Sequence, residues 1–454
     1  MTLSGTLSQP LVRGRVFRYH SFAVDAERGV LGCRYELDGR EFTERITLPG
    51  QGCKGAGPRW HTEAARAAAR LVFLLAGVSY YKTAAPQVID FGETALTEAE
   101  LAFLREFYLQ GLGEFAYRNA LDLTSLRFEA RSAPDQSPTG PTAVSERRAL
   151  VPFGGGIDSI VTVERVRRLA DVALFVVSRP ADRFDAIEQP AAVTGLPVVR
   201  AEREIDPQLL RSAELGFLNG HVPVTGILSA IAVLAAVLED RDAVVMSNEW
   251  SASIPTLEYA GRPVNHQFSK SEQFEAAFRE VLAQSPARLP GYFSWLRDRT
   301  ELWVGQEFAT LEQYHASFRS CNKAFYTERA RRLGHWCGQC DKCCFIDLIL
   351  APFLPAEALR RIFAVAGEPL DDPGLAAKFR ALLGAGAKPF ECVGEVSECR
   401  AAVLLAARRA DRSGAALLQE LAAEVAGWPD APSAADAAAM LRPVGRNFIP
   451  PGYR

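Results

Sequence analysis

The chain has 454 residues, of which 48% are hydrophobic and 23% are charged; this is ordinary for a globular protein and leaves room for about three domains. The formal net charge of −3 gives no sequence-wide basic field, which disfavours nucleic acid as the main partner and favours a small-molecule substrate. Residues 1–10 have no basic segment followed by an apolar run, so we expect no signal peptide and a cytoplasmic protein.

Residues 1–135 are expected to form an N-terminal α+β domain. Residues 15–48 alternate apolar and polar side chains between glycine-containing turns, which predicts antiparallel hairpins. Two helices are predicted, over 62–78 with Thr62 as the cap and from Thr97 to about Gly111, and two strands, over 82–91 and 121–131. Residues 132–142 are rich in Pro, Ser and Gly, which indicates a linker, and we place the first domain boundary there.

Residues 146–350 are expected to form the second domain, an α/β unit. Strands are predicted over 149–153, 172–178, 197–201 and 243–247, and helices over 157–169, 182–194 and 226–238. Strands that alternate with helices predict a parallel sheet with flanking helices. The stretch 220–238 has no full charges, but only 226–238 has a helical pattern; this is short for a bilayer, so we expect a buried helix and no membrane span.

Ligands of such sheets bind beyond the carboxyl ends of the strands. This edge is predicted to carry residues 154–159 together with Ser178, Arg179, Asn248 and Glu249. Gly154, Gly155 and Gly156 separate a strand from a helix whose first turn holds Asp158 and Ser159. Glycines allow close approach of a ligand, and a helix N-terminus favours an anion, so we expect a phosphate site with a metal-type ligand and a hydroxyl donor. A plain strand-to-helix turn is the alternative.

The segment 261–275 contains His266 and Lys270, which could serve in proton transfer and phosphate binding; a solvated loop is the alternative. Cys392, flanked by Glu391 and near a lysine, could be an acid or a base, although buried cysteine is often inert packing. Residues 351–454 are rich in alanine and leucine at helical spacing, which predicts a helical C-terminal region.

Four cysteines have the spacing of a metal site. Cys337, Cys340 and Cys343 form a CxxCxxC pattern, and Cys321 supplies a fourth thiolate for tetrahedral zinc, which we expect to be structural. A cluster of free thiols and an iron–sulfur cluster are the alternatives.

The sequence GGGIDS at 154–159 resembles the SGGxDS loop (PP-loop) of the ATP pyrophosphatases, with Gly154 in place of the usual serine. Together with VNHQFSKSEQFE, CGQCDKCC and KPFECVGE, it resembles the UDP-N-acetylmuramoyl-L-alanyl-L-glutamate epimerase family, and the likeness spans most of the chain. The resemblance implies epimerisation of the terminal L-glutamate of a UDP-sugar peptide in peptidoglycan precursor synthesis, with ATP and Mg²⁺, through a carboxyl-adenylate.

The resemblance also implies roles for particular residues. Asp158 would hold Mg²⁺, residues 154–156 and Ser159 the pyrophosphate, and Lys270 would neutralise charge at the reacting phosphate. Residues 177–179 would meet the adenine. The candidate proton carriers are His266, His221 and Cys392, and the possible UDP contacts are Arg59, His61 and Lys82. The rival functions are an ATP pyrophosphatase that forms an amide or modifies tRNA, and a nucleotide-binding regulator without catalysis.

Overall fold

The computed structural model describes residues 13–48, 59–134 and 147–454. The strands are β1 (Val16–Asp25), β2 (Val30–Leu37), β3 (Arg40–Thr47), β4 (Val88–Leu96), β5 (Arg127–Ser132), β6 (Arg148–Pro152), β7 (Asp171–Ser178), β8 (Val198–Glu204), β9 (Ala243–Met246), β10 (Leu257–Tyr259), β11 (Arg262–Val264) and β12 (Gly291–Ser294). Within the described residues, ten of them form one sheet in the order β12-β9-β6-β7-β8-β3-β2-β1-β4-β5, and β10 and β11 pair separately.

One half of the sheet is parallel, as the alternation of strands and helices predicts. Strands β12, β9, β6, β7 and β8 are all parallel neighbours, and four of them lie where the sequence places strands. Their apolar runs are buried on both faces, which is typical of parallel strands. In this order β6 has β7 on one side and β9 on the other, so the loop that follows β6 lies at the switch point where such sheets bind ligands.

The N-terminal hairpins extend this sheet. Strands β1, β2 and β3 are antiparallel, as predicted, and β3 pairs antiparallel with β8 through Arg45 opposite Glu204 and Ile46 opposite Arg203. Residues 13–48 therefore share one sheet with residues 147–204. The boundary predicted between 135 and 146 lies outside the described residues, and the division into three domains stays a prediction.

Two N-terminal strands begin later than the pattern predicts. Strand β4 begins at Val88 rather than at residue 82, because residues 82–84 form a turn and Ala85 has a φ of +43°. Strand β5 begins at Arg127 rather than at residue 121, because a turn at residues 124–125 precedes it. The buried side chains of Ala85, Leu121 and Leu123 therefore pack into the core from outside the strands.

The helices cover both faces of the sheet. They are α1 (Glu63–Ala76), α2 (Val78–Tyr81), α3 (Glu98–Gly111), α4 (Gly113–Arg118), α5 (Ile157–Val166), α6 (Asp185–Thr194), α7 (Pro207–Leu210), α8 (Val224–Leu238), α9 (Glu272–Ala283), α10 (Glu301–Ala309), α11 (Asp341–Leu350), α12 (Ala356–Ile362), α13 (Ala376–Leu382), α14 (Val396–Ala407), α15 (Ala416–Ala426) and α16 (Ala434–Met440). Thr62 caps α1 and Thr97 forms a capping box at α3, as predicted.

Two hydrophobic cores lie on opposite faces of the sheet. Leu150 of β6 points into the core formed with α1 and α8, and Val151 points into the core formed with α5 and the C-terminal helices. Helix α8 is buried along most of its length, as expected. Among the described residues, we find no helix whose length and hydropathy would carry it through a bilayer.

A buried ion pair links the two halves of the sheet, and its loss should be costly. Arg203 of β8 donates two hydrogen bonds, of 2.8 and 3.1 Å, to the fully buried carboxylate of Glu44 in β3. We expect Arg203→Met to lower the free energy of unfolding by about 3–5 kcal/mol in urea titrations, because Glu44 is left buried without its partner. The matched control is Arg45→Met, which breaks an exposed pair with Glu204 at the same strand junction and should cost less than about 1 kcal/mol. Equal losses in the two variants would contradict this account.

Candidate active site

The glycine loop after β6 opens onto a cavity. Gly155 has a φ of +75°, and a Cβ there would lie 2.2 Å from the carbonyl oxygen of Ala186, so only glycine fits. A Cβ on Gly154 would meet nothing within 4 Å, which leaves that side of the loop open. No side chain in the described part of the chain caps α5, so the N–H groups of its first turn can bind an anion.

The cavity has a volume of about 380 Å³, within the range of small-molecule sites. It lies at the carboxyl ends of β6, β7 and β9, as the topology predicts. Of the predicted residues, Gly154, Gly156, Asp158, Ser159, Asn248, Lys270 and Cys392 line it. Phe175 and Val177 of β7 form part of an apolar wall.

Ser178 and Arg179 do not belong to this lining. The Arg179 guanidinium is held 2.9 Å from Asp182 and 2.5 Å from the carbonyl oxygen of Thr327. Ser178 is buried, and its hydroxyl accepts a hydrogen bond of 3.3 Å from Arg183. Strand alternation explains this for Ser178, because Phe175 and Val177 face the other side of the sheet. Arg179 lies beyond the end of β7 and is held away by Asp182 and Thr327.

Three buried carboxyl groups converge below the loop. One oxygen from each of Asp158, Glu249 and Glu301 lies within 4.8 Å of the others. Asp158 Oδ1 and Glu301 Oε2 are buried without a hydrogen-bond partner among the described residues. Burial, reinforced by the charge of Glu249, raises the pKa of Asp158 to about 6, and burial raises the pKa of Glu301 well above its usual value. Such a group fits a divalent cation with a preference for oxygen ligands.

Two lysines face these carboxylates. The Nζ atom of Lys270, at the end of a 3-10 turn, lies 3.4 Å from the Sγ atom of Cys392. Burial would lower the pKa of Lys270, but the charges of Cys392, Glu249 and Asp158 outweigh it and raise the pKa. Lys342, in the first turn of α11, donates a hydrogen bond to the backbone oxygen of Cys392. Two cations therefore lie on the wall of the same cavity as the three carboxyl groups.

Beyond Lys270, Cys392 belongs to a chain of interacting side chains. Cys392 and His266 interact electrostatically, and His266 Nδ1 bonds to Glu114 Oε2. Glu114 comes from α4 in the N-terminal part of the chain and is also held 2.5 Å from Arg118. The ring of His221 lies 4.2 Å from that of His266, measured between centroids. The four predicted catalytic residues, Asp158, Lys270, His266 and Cys392, thus lie in one region.

The predicted UDP contacts are more scattered. Arg59 pairs with Asp240 and donates to the carbonyl oxygen of Leu238, and His61 is exposed. Lys82 donates hydrogen bonds of 2.8 Å to Asn219 Oδ1 and 3.3 Å to the oxygen of Gly220, next to His221. Among the three, Lys82 is the one that bonds to the segment next to the pair His221 and His266.

The four cysteines of the predicted metal site also meet. The sulfur atoms of Cys321, Cys337, Cys340 and Cys343 all lie within 4.8 Å of one another. The Sγ atom of Cys343 is 3.4 Å from that of Cys340 and 3.7 Å from that of Cys337. Zn–S bonds of about 2.3 Å in a tetrahedron place sulfurs about 3.8 Å apart, so the cluster could hold zinc.

Several residues of the site carry no clear signal in the sequence. Glu301 follows the helix cap Thr300 and resembles any acid at a helix start. Glu114 lies far along the chain from its partner His266, and Lys342 lies far from its partner Cys392. Glu398 is fully buried beside Glu301, and burial raises its pKa to about 8. Glu249 is on the predicted edge, and only its proximity to Asp158 suggests a role.

Comparison with known proteins points to one family. A family model described as the MurL N-terminal domain matches residues 10–295, and one described as the MurL C-terminal domain matches residues 317–436. A protein of Xanthomonas oryzae pv. oryzae is 38% identical over 438 residues, covering 96% of this chain and 95% of its own length. A protein of Salinispora tropica is also 38% identical, over 98% of this chain and 96% of its own. No solved structure matches the chain significantly.

The fold is an α/β architecture with an open, mostly parallel sheet and a cavity at its switch point. Both relatives are named UDP-N-acetyl-alpha-D-muramoyl-L-alanyl-L-glutamate epimerase. The chain belongs to this epimerase family, as the sequence motifs predict.

The cysteine cluster makes a prediction about metal content. The purified protein should contain about one zinc per chain, measured by inductively coupled plasma mass spectrometry. Cys340→Ser should lose most of the metal and unfold at a lower urea concentration, because a structural zinc stabilises the folded state. The matched control is Cys344→Ala, which removes a neighbouring buried thiol outside the cluster and should keep the metal. A Cys340→Ser variant with full metal content and stability would rule out the structural role.

Proposed function

We propose that the chain is an ATP- and Mg²⁺-dependent epimerase that inverts the terminal L-glutamate of UDP-N-acetylmuramoyl-L-alanyl-L-glutamate in peptidoglycan precursor synthesis. The glutamate carboxylate is first converted to an adenylate, and pyrophosphate and later AMP are released. The observation that carries the proposal is the grouping of an open glycine loop, three buried carboxyl groups and two lysines around one cavity. The names of the relatives supply the substrate.

The nucleotide binds along the glycine loop. The backbone N–H groups of residues 154–156 and the α5 N-terminus hold the pyrophosphate. The Ser159 hydroxyl, which donates a hydrogen bond of 3.0 Å to the carbonyl oxygen of Gly156, joins them by turning toward the phosphates. Backbone groups replace the hydroxyl that Gly154 lacks. The apolar wall of Phe175 and Val177 supports an adenine position at the end of β7, with Asn248 opposite as a polar contact.

The buried carboxylates suit a magnesium ion. Asp158, Glu249 and Glu301 would hold Mg²⁺, which supplies charge neutralisation on the phosphates. The unpartnered oxygens of Asp158 and Glu301 support this assignment, because a buried anionic oxygen without a partner is costly. Lys270 and Lys342 then balance the charge that develops as the carboxylate attacks the α phosphorus.

Adenylation explains why an epimerase would use ATP. Removal of a proton from a carbon beside a carboxylate places a second negative charge next to the first. In the acyl-adenylate that charge is gone and the carbanion delocalises as an enolate; each unit of acidity gained lowers the cost by about 1.36 kcal/mol. Return of a proton to the opposite face inverts the centre, and water then releases AMP.

The proton carriers come from the group beyond Lys270. Cys392 and His266 remain candidates, and His221 is the weaker one, since burial lowers its pKa to about 4 and leaves the ring neutral and poor as a base. The UDP group extends toward the N-terminal part of the chain, where Lys82 is the best placed of the three predicted contacts.

Incubation with ATP, Mg²⁺ and the UDP-sugar dipeptide in deuterated water tests the proposal. We expect AMP and pyrophosphate that depend on the substrate, together with D-glutamate carrying deuterium at Cα. A new amide or a modified tRNA in place of the epimer would identify another ATP pyrophosphatase. Absence of AMP with retained nucleotide binding would identify a regulator.

Neutralisation of Asp158 should abolish the ATP half of the reaction. We expect Asp158→Asn to lower substrate-dependent AMP formation by about 10²–10³-fold with an unchanged circular dichroism spectrum, because a charge at the phosphates is lost. The matched control is Asp185→Asn, an exposed acid in the first turn of α6, which should keep full activity. Wild-type AMP formation in Asp158→Asn would refute the assignment of the loop.

A further inference from the structure

The chain of Cys392, His266 and Glu114 crosses the molecule from its C-terminal part to its N-terminal part. Cys392 lies in the loop before α14, His266 in the segment after β11, and Glu114 in α4. Helix α4 contacts β11, so the N-terminal part packs directly against the segment that leads to His266. This series of three interacting residues therefore forms only when three separate segments of the protein pack together.

The direction of the hydrogen bonds is set by Glu114. Its side chain is buried, and its two oxygens have different partners: Oε1 accepts from Arg118 and Oε2 contacts His266 Nδ1. A carboxylate held by an arginine accepts and does not donate, so His266 must carry a proton on Nδ1. The ring also interacts with Cys392, whose negative charge favours the protonated form of His266.

Cys392 is the member of this chain that lines the cavity. Its Sγ atom lies 3.4 Å from Lys270 Nζ, and Lys270 lines the same cavity as the glycine loop. The thiol therefore lies beside the region assigned to the activated carboxyl group, and the glutamate Cα is bonded directly to that carboxyl carbon. Neither Glu114 nor His266 is part of the lining.

We propose that Cys392, as a thiolate, is the base that removes the glutamate Cα proton, and that Glu114 is a positioning residue that holds His266 as the partner of this thiolate. This assignment rests on the proposed function. It adds to that function by selecting one of the three candidate proton carriers as the base.

The charged groups around the thiol favour its ionised form. Three cationic or titratable groups from separate elements face Cys392: Lys270, Lys342 and His266. The neighbouring acid Glu391 accepts a hydrogen bond from Asn322. Burial would raise the pKa of Cys392, but Lys270 and His266 outweigh it and lower the pKa to about 6. Burial would lower the pKa of His266, but its interactions with Cys392 and Glu114 raise the pKa to about 9. These shifts favour the thiolate of Cys392 together with the imidazolium of His266.

The proton balance closes without a further reagent. The Cys392 thiolate forms an S–H bond as the Cα–H bond breaks, and the electron pair of that bond enters the enolate of the acyl-adenylate. Water at the open side of the cavity protonates the opposite face of Cα. The hydroxide left behind takes the proton from the thiol, which restores the thiolate and forms water. Water then attacks the acyl carbon, the bond to AMP breaks, and a proton is released to solvent.

Removal of the thiol separates the two halves of the reaction. Cys392→Ala should lower deuterium incorporation at Cα by about 10²–10⁴-fold, which is the contribution of a positioned base. Substrate-dependent AMP formation should fall much less, because the glycine loop and the carboxylates remain. The matched control is Cys399→Ala, a buried thiol seven residues along the chain that lies outside the cavity lining and should keep both activities. Cys392→Ser serves as the second variant if alanine impairs folding.

The measurements distinguish a wrong assignment of the base from a wrong proposed function. Exchange that persists in Cys392→Ala or Cys392→Ser overturns the assignment of the base, and so does an acyl adduct on Cys392 detected by mass spectrometry, which would identify a nucleophile. Equal loss of AMP formation and exchange would give Cys392 a role in activation and also overturn it. Absence of substrate-dependent AMP in the wild-type protein would instead overturn the proposed function.

Glu114→Gln tests the positioning role through a pH profile. A thiolate base is active above the pKa of the thiol; without the Glu114 charge, His266 is less often protonated, the pKa of Cys392 rises, and the half-maximal exchange rate should move to higher pH by about 1 unit. The pH dependence of iodoacetamide alkylation at Cys392, mapped by mass spectrometry without ATP, should move in the same direction. The matched control is Glu357→Gln, which removes an exposed partner of Arg361 at the same i,i+4 spacing. A drop in rate with neither profile displaced would reduce Glu114 to a structural residue and refute the proposal.

Discussion

A set of buried charges at the carboxyl ends of β6 and β9 is the constraint on which the site depends. Asp158, Glu249 and Glu301 face Lys270 and Lys342 across a cavity with apolar walls. An unpaired charge in such surroundings costs several kcal/mol, so each group must be held close to its counterpart. The five side chains come from five separate segments, which means that the charge balance exists only when the C-terminal helices are packed on the sheet.

The cysteine cluster contributes to that packing through Lys342. This residue lies between Cys340 and Cys343 in the first turn of α11, so any metal held by the four sulfurs would fix the backbone from which the lysine extends. The Lys342 ammonium in turn bonds to the backbone of Cys392. A metal held by the four cysteines would therefore influence the proposed reaction indirectly, because it would fix the positions of Lys342 and Cys392.

Much of this arrangement follows from local sequence patterns, and the rest depends on contacts between distant segments. Four of the five strands of the parallel half are predicted because apolar runs and glycine turns are local signals, whereas the short strand β12 is missed. The late starts of β4 and β5 are missed because buried residues in turns, such as Ala85 and Leu123, have the same hydrophobic pattern as residues of a strand. His266, Lys270 and Cys392 are suggested by their residue types. Glu114 is missed because its partner His266 lies more than 100 residues away, and Glu301 is missed because it resembles an ordinary acid at a helix start. Arg179 is misplaced because its guanidinium is held by Asp182 and by the distant carbonyl oxygen of Thr327.

Lys270 connects the two parts of the proposed reaction. In adenylation the reacting atom is the carboxyl oxygen, and in epimerisation it is the adjacent Cα, so the groups that serve the two steps must lie within a few ångströms of each other. Lys270 meets this requirement, because its ammonium contacts Cys392 and is stabilised by the charges of Glu249 and Asp158. A cation shared in this way links the ionisation of the thiol to that of the carboxylates. In the proposed reaction Glu114 acts on the same thiol through His266, so the helix α4 of the N-terminal part contributes to the proposed active centre.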